Sequence, residues 1–263
     1  SFIGNLASFL LDLMLPLLIS ETKDSSPLIE GLATELGLEF ISKRDALKKQ
    51  TLIHAQYYLV IGKNKSYLQV GIKGKSKPIF CNFTEWANNK KKSNLMRCMK
   101  GLPSECSVLD ATAGFGRDAL ELATVSRSVV LIERIPWMYY LLKDGVRNST
   151  QESVLTLVNK FKLVQSDARE YLNIEKNKTD VIYLDPMFPN KGSARAKKNI
   201  QALRDLSEED LSDDLLIQAL DFAKKRVIVK RHKNSSYLNN QKPSFSIQGR
   251  VVRFDVYVTN LSH

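Results

Sequence analysis

One stretch of the chain, residues 108–119, constrains the fold more than any other. It reads VLDATAGFGRDA, which is typical of an apolar strand, a tight turn and the first turn of a helix. Gly114 and Gly116 allow the backbone to come close to a ligand, and the helix aims unpaired N–H groups at whatever binds there. The stretch predicts a cofactor pocket, although an ordinary strand-to-helix connection has the same pattern.

From Met96 onward the chain alternates strand and helix patterns, which indicates βαβ units around a largely parallel sheet. Several strands are rich in Val, Ile and Leu, as strands buried on both faces should be. The predicted fold class is an α/β Rossmann-like sheet with helices on both faces, and its last two strands should form a hairpin that closes the edge. The strands are expected at 107–110, 128–133, 161–165, 180–184, 226–230 and 251–258, and the helices at 117–125, 136–145, 168–172 and 212–224.

About ninety residues before this region predict a small N-terminal α+β lobe. Apolar residues at helical spacing indicate a helix over 27–38. A polar run at 88–94 would form a linker or an arm that contacts phosphates. We therefore expect a lobe and linker over 1–95 and a Rossmann-like domain over 96–263. Within the lobe, strands are expected at 13–19, 39–41, 57–61 and 67–72, the last two as a hairpin.

The composition narrows the classes of function. The 263 residues include 39 Lys and Arg against 28 Asp and Glu, and the net charge of +11 favours a polyanionic partner such as nucleic acid. Three cysteines without CxxC spacing argue against disulfides and a metal site, and favour a reducing cytoplasm. Residues 2–19 are apolar, but Asn5 and Asp12 interrupt them and Pro16 would break a spanning helix, so no membrane segment is expected.

Four predicted parallel strands end in an acidic residue, namely Asp110, Glu133, Asp167 and Asp185. The carboxyl ends of the strands form the rim where open α/β sheets bind ligands. Glu133 lies roughly twenty residues after Asp110, where a doubly wound sheet places the acid that accepts from both hydroxyls of a ribose. The acids therefore predict a nucleoside-containing ligand at this rim.

The first turn of the helix distinguishes between cofactors. Asp118 would repel a pyrophosphate, whereas it suits S-adenosylmethionine (SAM), which carries a positive sulfur and an α-ammonium group. Arg117 could bind the SAM carboxylate, and Asp118 or Asp110 its ammonium. Glu133 would then bind the ribose and Asp167 the adenine amino group. Taken singly, Asp118 could instead interact with the helix dipole.

Residues 185–189, with the sequence DPMFP, are expected to carry the chemistry. Methyltransferases that act on the amino groups of nucleobases use an acid or amide, a proline and an aromatic residue to fix a planar substrate. Asp185 is the candidate acceptor for an exocyclic N–H, and Phe188 is the candidate for stacking on the base. The alternative is a proline-rich turn with Phe188 in the core.

Five blocks of the sequence resemble the RsmJ-like family of bacterial methyltransferases, which place a methyl group on N2 of a guanine in small-subunit ribosomal RNA. The blocks are 110–119, 131–134, 183–189, 227–231 and 253–257, and the resemblance covers roughly 109–258. It implies a cytoplasmic enzyme with SAM as cofactor and 16S ribosomal RNA, free or in an assembled subunit, as partner. It places cofactor contacts on Arg117, Asp118, Glu133, Arg134, Ser166, Asp167 and Asp185.

Basic residues are expected beside the substrate. Clustered at one rim, they would bind phosphates and make binding depend on salt, although scattered solvated side chains are the alternative. The candidates are Lys191, Arg195, Lys197 and Lys198 after Phe188, and Lys230, Arg231, His232 and Lys233 at the end of a neighbouring strand.

Two other functions stay open. A DNA amino-methyltransferase would use the same Asp-Pro-x-Phe segment. A catalytically silent RNA-binding protein would keep the fold without the chemistry. Cofactor binding separates the second function from an enzyme, and a comparison of RNA with DNA as substrate separates the first.

Overall fold

Two β-sheets, one small and one large, organise the chain. The structure is a computed structural model that describes residues 15–21, 27–49, 57–71, 77–89, 93–186 and 212–259. Within these ranges, no helix is long and apolar enough to cross a membrane. All three cysteines are buried as free thiols.

The small sheet contains β1 (Leu17–Ser20), β2 (Tyr57–Ile61) and β3 (Tyr67–Val70), in that order. Strand β1 runs parallel to β2, and β2 runs antiparallel to β3. Helix α1 (Pro27–Leu36) turns its apolar face, with Ala33, toward the core that these strands share. These elements lie within the range predicted for the α+β lobe.

The predictions for the lobe are partly confirmed. The hairpin of β2 and β3 is present, but the strand expected at 39–41 is wrong, because Phe40 alone forms an isolated bridge with Leu18. Helix α2 (Lys43–Lys49) follows instead. Its missed signal is a capping box: Ser42 Oγ accepts from the Asp45 N–H at 3.0 Å and donates to Asp45 Oδ2 at 2.7 Å. Residues 13, 14 and 72 of the expected strands lie outside the described ranges.

The large sheet has seven strands in the described ranges. Their order is β6-β5-β4-β7-β8-β10-β9, with the first five parallel and the last two antiparallel to their neighbours. The order reverses between β4 and β7, so the carboxyl ends of these two strands border a crevice. The strands are β4 (Ser107–Asp110), β5 (Ser128–Glu133), β6 (Phe161–Gln165), β7 (Thr179–Leu184), β8 (Ala223–His232), β9 (Phe245–Gln248) and β10 (Val252–Val258).

Helices cover both faces of the large sheet, as predicted. Successive strand residues alternate between the two sides, so Val108 packs against one layer of helices and Leu109 against the other. One layer contains α3 (Phe83–Asn88), α4 (Asn94–Cys98), α5 (Arg117–Ala123) and α7 (Glu152–Val158), and the other contains α8 (Ala168–Ile174) and α9 (Ser212–Phe222). Burial on both faces accounts for the density of Val, Ile and Leu in the central strands.

The last strands differ from the prediction at the sheet edge. Strands β8 and β10 are antiparallel neighbours, with Val252 opposite His232, but β9 forms the outermost strand. The sequence of β9, FSIQ, has no continuous apolar run, and Phe245 is 42% exposed. In a half-exposed strand of only four residues, the alternation of apolar and polar side chains is too short to predict a strand.

Helix α6 (Pro136–Arg147) joins the two sheets. Trp137 and Met138 pack into the core of the small sheet, whereas Leu142 packs against the large one. The Ser66 N–H also donates to Asp144 Oδ2 at 2.8 Å, which ties β3 to the helix. The division of the chain between residues 95 and 96 stays a prediction.

Gly145 of α6 should be needed for this packing, because a Cβ there would overlap the Cβ of Cys81 and lie 3.1 Å from its carbonyl oxygen. Although alanine is the better helix former, we expect Gly145→Ala to lower the free energy of unfolding by about 1–3 kcal/mol through overpacking. Gly31 of α1 has open space around it, so the control Gly31→Ala should raise that free energy by about 0.5–1 kcal/mol. Urea unfolding measures both changes, and a Gly145→Ala variant as stable as the wild type would contradict the close approach.

Candidate cofactor-binding and active site

The turn between β4 and α5 forms one wall of the crevice. Gly114 and Gly116 have φ angles of 55° and 76°, in the left-handed region that favours glycine. A Cβ on Gly116 would lie 2.7 Å from Cδ1 of Leu142 and 3.2 Å from the ring of Phe83. Both glycines therefore allow the backbone conformation of the turn, and Gly116 also leaves room for the side chains of Leu142 and Phe83.

Glu133, at the carboxyl end of β5, holds this turn in place. Glu133 is 2% exposed, and its Oε2 accepts from the Gly114 N–H at 2.9 Å. Its Oε1 accepts from the Ile135 N–H at 2.9 Å. Both oxygens therefore bond backbone N–H groups, one in the turn and one in the segment after β5.

Five polar residues lie together where β4 and β7 end. We name them the acid–lysine cluster; they are Asp110, Asp118, Tyr183, Asp185 and Lys230. Nζ of Lys230, from β8, lies 2.6 Å from Oδ2 of Asp118 and 2.9 Å from Oδ2 of Asp185. The Tyr183 hydroxyl donates to the same Oδ2 of Asp118 at 2.6 Å. Asp110, which is 1% exposed, completes the cluster at the end of β4.

Thr112 links the turn to Asp185. Its hydroxyl oxygen accepts from the Asp185 N–H at 2.7 Å, and its own N–H donates to Oδ1 of Asp110 at 3.1 Å. Hydrogen bonds thus run from β4 through the turn to the residue that follows β7. Thr112 was not among the predicted site residues; its signal in the sequence is its place two residues after an aspartate, the spacing of an Asx turn.

Lys230 decides the ionisation of its neighbours. Burial opposes the charge on Asp118, but the ammonium group of Lys230 and the Tyr183 hydroxyl outweigh burial and lower the pKa of Asp118. Burial also opposes the charge on Lys230, but Asp185 and Asp118 together raise its pKa, so the ammonium group stays protonated.

Asp110 differs from the other two acids, because burial raises its pKa to about 8. It is therefore mostly neutral at pH 7. The carboxylate groups of Asp118 and Asp185 both pair with one ammonium group, that of Lys230.

The far part of the rim is built at the ends of β5 and β6. Asp167 caps α8, accepting from the Arg169 N–H at 2.9 Å, and pairs with the Arg169 guanidinium at 3.1 Å. Burial opposes its charge, but Arg169 outweighs burial and, with a smaller contribution from Arg134, lowers the pKa of Asp167. The Ser166 N–H donates to the carbonyl oxygen of Glu133 at 3.3 Å. Arg169 was missed, because it follows the rim acid on the first turn of a helix.

The predicted site residues that the structure describes lie along one edge of the large sheet. They are Asp110, Gly114, Gly116, Arg117, Asp118, Glu133, Arg134, Ser166, Asp167 and Asp185, and Arg117 is exposed at the start of α5. Phe188, Lys191, Arg195, Lys197 and Lys198 lie outside the described residues. Direct binding of the cofactor by these residues stays a prediction.

The phosphate contact expected at 230–233 is wrong for its first two residues. Strand β8 continues to His232, two residues past its expected end, so Arg231 lies within the sheet together with Lys230. Lys230 is paired inside the cluster, and Arg231 is 5% exposed, with its guanidinium donating to the Ser236 carbonyl oxygen at 2.9 Å. Lys233 is exposed.

Comparisons with known proteins identify the family. The model of a family described as "Putative SAM-dependent methyltransferase" matches residues 41–259. The chain is also 33% identical to the ribosomal RNA small subunit methyltransferase J of Cellvibrio japonicus, over 93% of this chain and 97% of that protein. The chain belongs to the RsmJ-like family of SAM-dependent methyltransferases.

Further relatives and a solved structure agree with this assignment. The ribosomal RNA small subunit methyltransferase J of Aeromonas salmonicida is 44% identical over 58% of this chain and 63% of its own length. That of Buchnera aphidicola is 35% identical over 76% of this chain and 85% of its own. The crystal structure of a SAM-dependent methyltransferase from Neisseria gonorrhoeae, 25% identical, superposes with a TM-score of 0.69 over 95% of this chain and 98% of that one. The predicted methyltransferase fold class is confirmed.

The site fits SAM, the cofactor of this family. SAM carries a sulfonium and an ammonium group against one carboxylate, and these two cationic groups suit a site that contains the carboxylates of Asp118 and Asp185. Among the described residues, the hydrogen bonds from Tyr183 and Lys230 to Asp118 both end on Oδ2, so Oδ1 is available to the ammonium group. The exposed Arg117 beside it suits the carboxylate. In the described ranges, no group of three or more His, Cys, Asp or Glu is arranged to hold a metal ion.

The buried carboxyl of Asp110 should make stability depend on pH. Its pKa is about 8 in the folded protein and near the usual 3.8 in the unfolded chain, so unfolding releases a proton between these values. Its contribution to stability is complete below about pH 4 and is lost as the pH rises to about 8, by at most about 1.4 kcal/mol per pH unit.

Asp110→Asn removes this ionisable group and keeps an oxygen that can accept from the Thr112 N–H. We expect the free energy of unfolding of the wild type to fall across this pH window relative to that of the variant. Urea unfolding of both proteins at several pH values measures the difference. Parallel pH dependences would mean that Asp110 is not buried as a neutral acid.

Proposed function

We propose that this protein is a cytoplasmic enzyme that transfers the methyl group of SAM to the exocyclic N2 of a guanine in small-subunit (16S) ribosomal RNA. The observation that carries the proposal is the position of Asp185 in the crevice between β4 and β7, beside Asp118 and Lys230. The match of almost the whole chain to a ribosomal RNA small subunit methyltransferase J supports the class of substrate.

The chemistry requires a weak nucleophile to be oriented. The lone pair of N2 is delocalised into the guanine ring, so the enzyme must hold the amine in line with the methyl group. SAM supplies that methyl group on a positively charged sulfur, and the attack of N2 releases S-adenosylhomocysteine. Asp185 accepts a hydrogen bond from N2–H and then takes the proton that N2 loses. Lys230 pairs with this carboxylate at 2.9 Å, and the Thr112 hydroxyl oxygen accepts from the Asp185 backbone N–H.

The remaining predicted residues would bind the cofactor along the rim. Arg117 would bind the carboxylate of SAM, and Asp118 its ammonium group. Glu133 and Arg134 would hold the ribose, and Ser166 with Asp167 the adenine. Asp110, Gly114 and Gly116 would shape the wall behind the amino-acid end. Phe188, outside the described residues, is proposed from the sequence to stack on the guanine.

Exposed cationic side chains lie at the same sheet edge as Asp185. Strand β8 runs parallel to β7, so the chain leaves His232 at the edge where β7 ends, and Lys233 is exposed there. The Lys233 N–H donates to the carbonyl oxygen of Val251 at 3.0 Å, which brings the exposed Arg250 to the same edge. The sequence has no acidic residue between 221 and 255. We assign this edge to the phosphates of the RNA.

A buried arginine holds this surface in shape. The guanidinium of Arg253 donates to the carbonyl oxygens of Lys233 at 2.8 Å and Ser235 at 2.7 Å. Its Nε pairs with Asp255 at 2.9 Å. The ring of Tyr237, which is 38% exposed, lies 5.0 Å from the same guanidinium. An aromatic ring beside exposed cations suits the bases of single-stranded RNA.

The function is tested by methyl transfer from labelled SAM to small-subunit particles, free 16S ribosomal RNA and DNA, followed by mass mapping of the methylated nucleotides. We expect N2-methylguanine in RNA, and a loss of about 100-fold or more in kcat for Asp185→Ala. Glu105→Ala, an exposed acid before β4 at the opposite edge, is the matched control and should keep the wild-type rate.

Each contrary result has a distinct meaning. Faster transfer to DNA than to RNA would favour a DNA amino-methyltransferase. Lack of SAM binding at millimolar concentration would favour a silent RNA-binding protein. A near-normal rate for Asp185→Ala would remove Asp185 from the mechanism.

The RNA-facing edge is tested by Lys233→Glu. We expect it to raise the Kd for RNA about threefold to tenfold and to reduce the slope of log Kd against log salt by about one, because one phosphate contact is lost. SAM affinity should not change. The control is Lys242→Glu, the same charge reversal at an exposed residue of the opposite edge, where the neighbouring Gln241 accepts from Tyr257. Equal effects of the two variants would contradict a specific RNA surface.

A further inference from the structure

One ammonium group joins the two halves of the site. Lys230 Nζ lies 2.6 Å from Asp118, on the helix that follows the glycine turn, and 2.9 Å from Asp185, on the segment that follows β7. Asp118 belongs to the cofactor side, and Asp185 to the substrate side. Lys230 itself comes from a third element, β8, and its side chain is 24% exposed. From the sequence, this lysine was expected to bind phosphate.

We propose that Lys230 is a positioning residue, which sets the relative position of Asp118 and Asp185 so that cofactor and target amine meet in line. This inference rests on the proposed function, because it assigns Asp185 to the amine. Lys230 contacts neither reacting atom. It acts through the two carboxylates.

The bonding of the cluster supports a positioning role. The ammonium group of Lys230 donates to two carboxylates on separate elements, and so it constrains the distance between them. The carboxylate of Asp118 is also held by Tyr183, and the backbone N–H of Asp185 is held by Thr112. Each acid is thus fixed both to Lys230 and to its own side of the crevice.

The charges around Lys230 explain why the ammonium group is needed. Asp118 and Arg117 face it from α5, Asp110 from β4, and Tyr183 and Asp185 from β7 and the segment after it. Without the lysine, two carboxylates would share one partly buried site, and like-charge repulsion would leave one of them protonated near neutral pH. A protonated Asp185 could not take the proton from N2.

Three substitutions distinguish the charge of the Lys230 side chain from its hydrogen bonding. Lys230→Met removes both, Lys230→Gln keeps hydrogen-bond donors without the charge, and Lys230→Arg keeps the charge. Lys224→Met is the matched control, because Lys224 is an exposed lysine of the same strand at its opposite end. The measurements are kcat/KM for RNA between about pH 5 and 9, SAM affinity by calorimetry, and circular dichroism of each variant.

For Lys230→Met and Lys230→Gln we expect kcat/KM at pH 7 to fall about 100-fold. The acidic limb of the pH profile should shift to higher pH by about one unit or more, because two coupled acids then share a proton. Lys230→Arg should return the limb to its wild-type position, and Lys224→Met should not move it. A rate loss in the neutral variants with an unmoved acidic limb would overturn the proposal.

A second readout does not depend on turnover. NMR titration of protein with carboxyl-labelled aspartate follows Asp118 and Asp185 directly in the wild type and in Lys230→Gln. We expect the coupled pair to titrate at least about one pH unit higher in the variant. If the wild type methylates no RNA but this difference is present, the proposed function fails and the arrangement of the pair stands. If the difference is absent in a folded variant, the inference on Lys230 fails.

Discussion

The site depends first on the buried carboxylate of Glu133, which accepts from the N–H groups of Gly114 and Ile135. A carboxylate with both oxygens on backbone donors is strongly anchored, and removing it would leave buried N–H groups without partners. Because this one group joins the end of β5 to the turn after β4, it fixes where α5 begins. Asp118 lies on the first turn of that helix, so the position of the acid–lysine cluster follows from a contact with the neighbouring strand.

The acid–lysine cluster illustrates how polar groups are kept at the end of a hydrophobic sheet. Taking Asp118 and Lys230 partly out of water is unfavourable, and their attraction offsets this only because further donors satisfy the remaining lone pairs. The Tyr183 hydroxyl supplies one such donor at 2.6 Å. Asp110 has no ion-pair partner within contact distance among the described residues and stays largely neutral instead. Two acids of the cluster are thus stabilised by pairing and one by protonation.

The sequence predicted the large sheet because its central strands are apolar on both faces, and it predicted the rim acids because parallel strands end at one edge. It did not predict the partners of those acids. Thr112, Tyr183 and Lys230 lie within or beside apolar segments, and nothing in the local pattern states which way a side chain at a strand end points. Strand β8 begins three residues earlier and ends two residues later than expected, and the later end brings the buried Arg231 into the sheet beside Lys230. Tertiary contacts that join residues far apart in sequence decided these positions.

The segment after β8 shows why irregular backbone can still present a defined surface. Residues 233–236 belong to no helix or strand, so their carbonyl oxygens have no regular partners. The buried guanidinium groups of Arg231 and Arg253 supply donors to them, and the carboxylate of Asp255 balances the charge of Arg253. Since each arginine has five donors in a planar fork, two side chains can replace much of the hydrogen bonding of a regular element. These arginines therefore act from within the sheet, holding the backbone from which the exposed Lys233 projects.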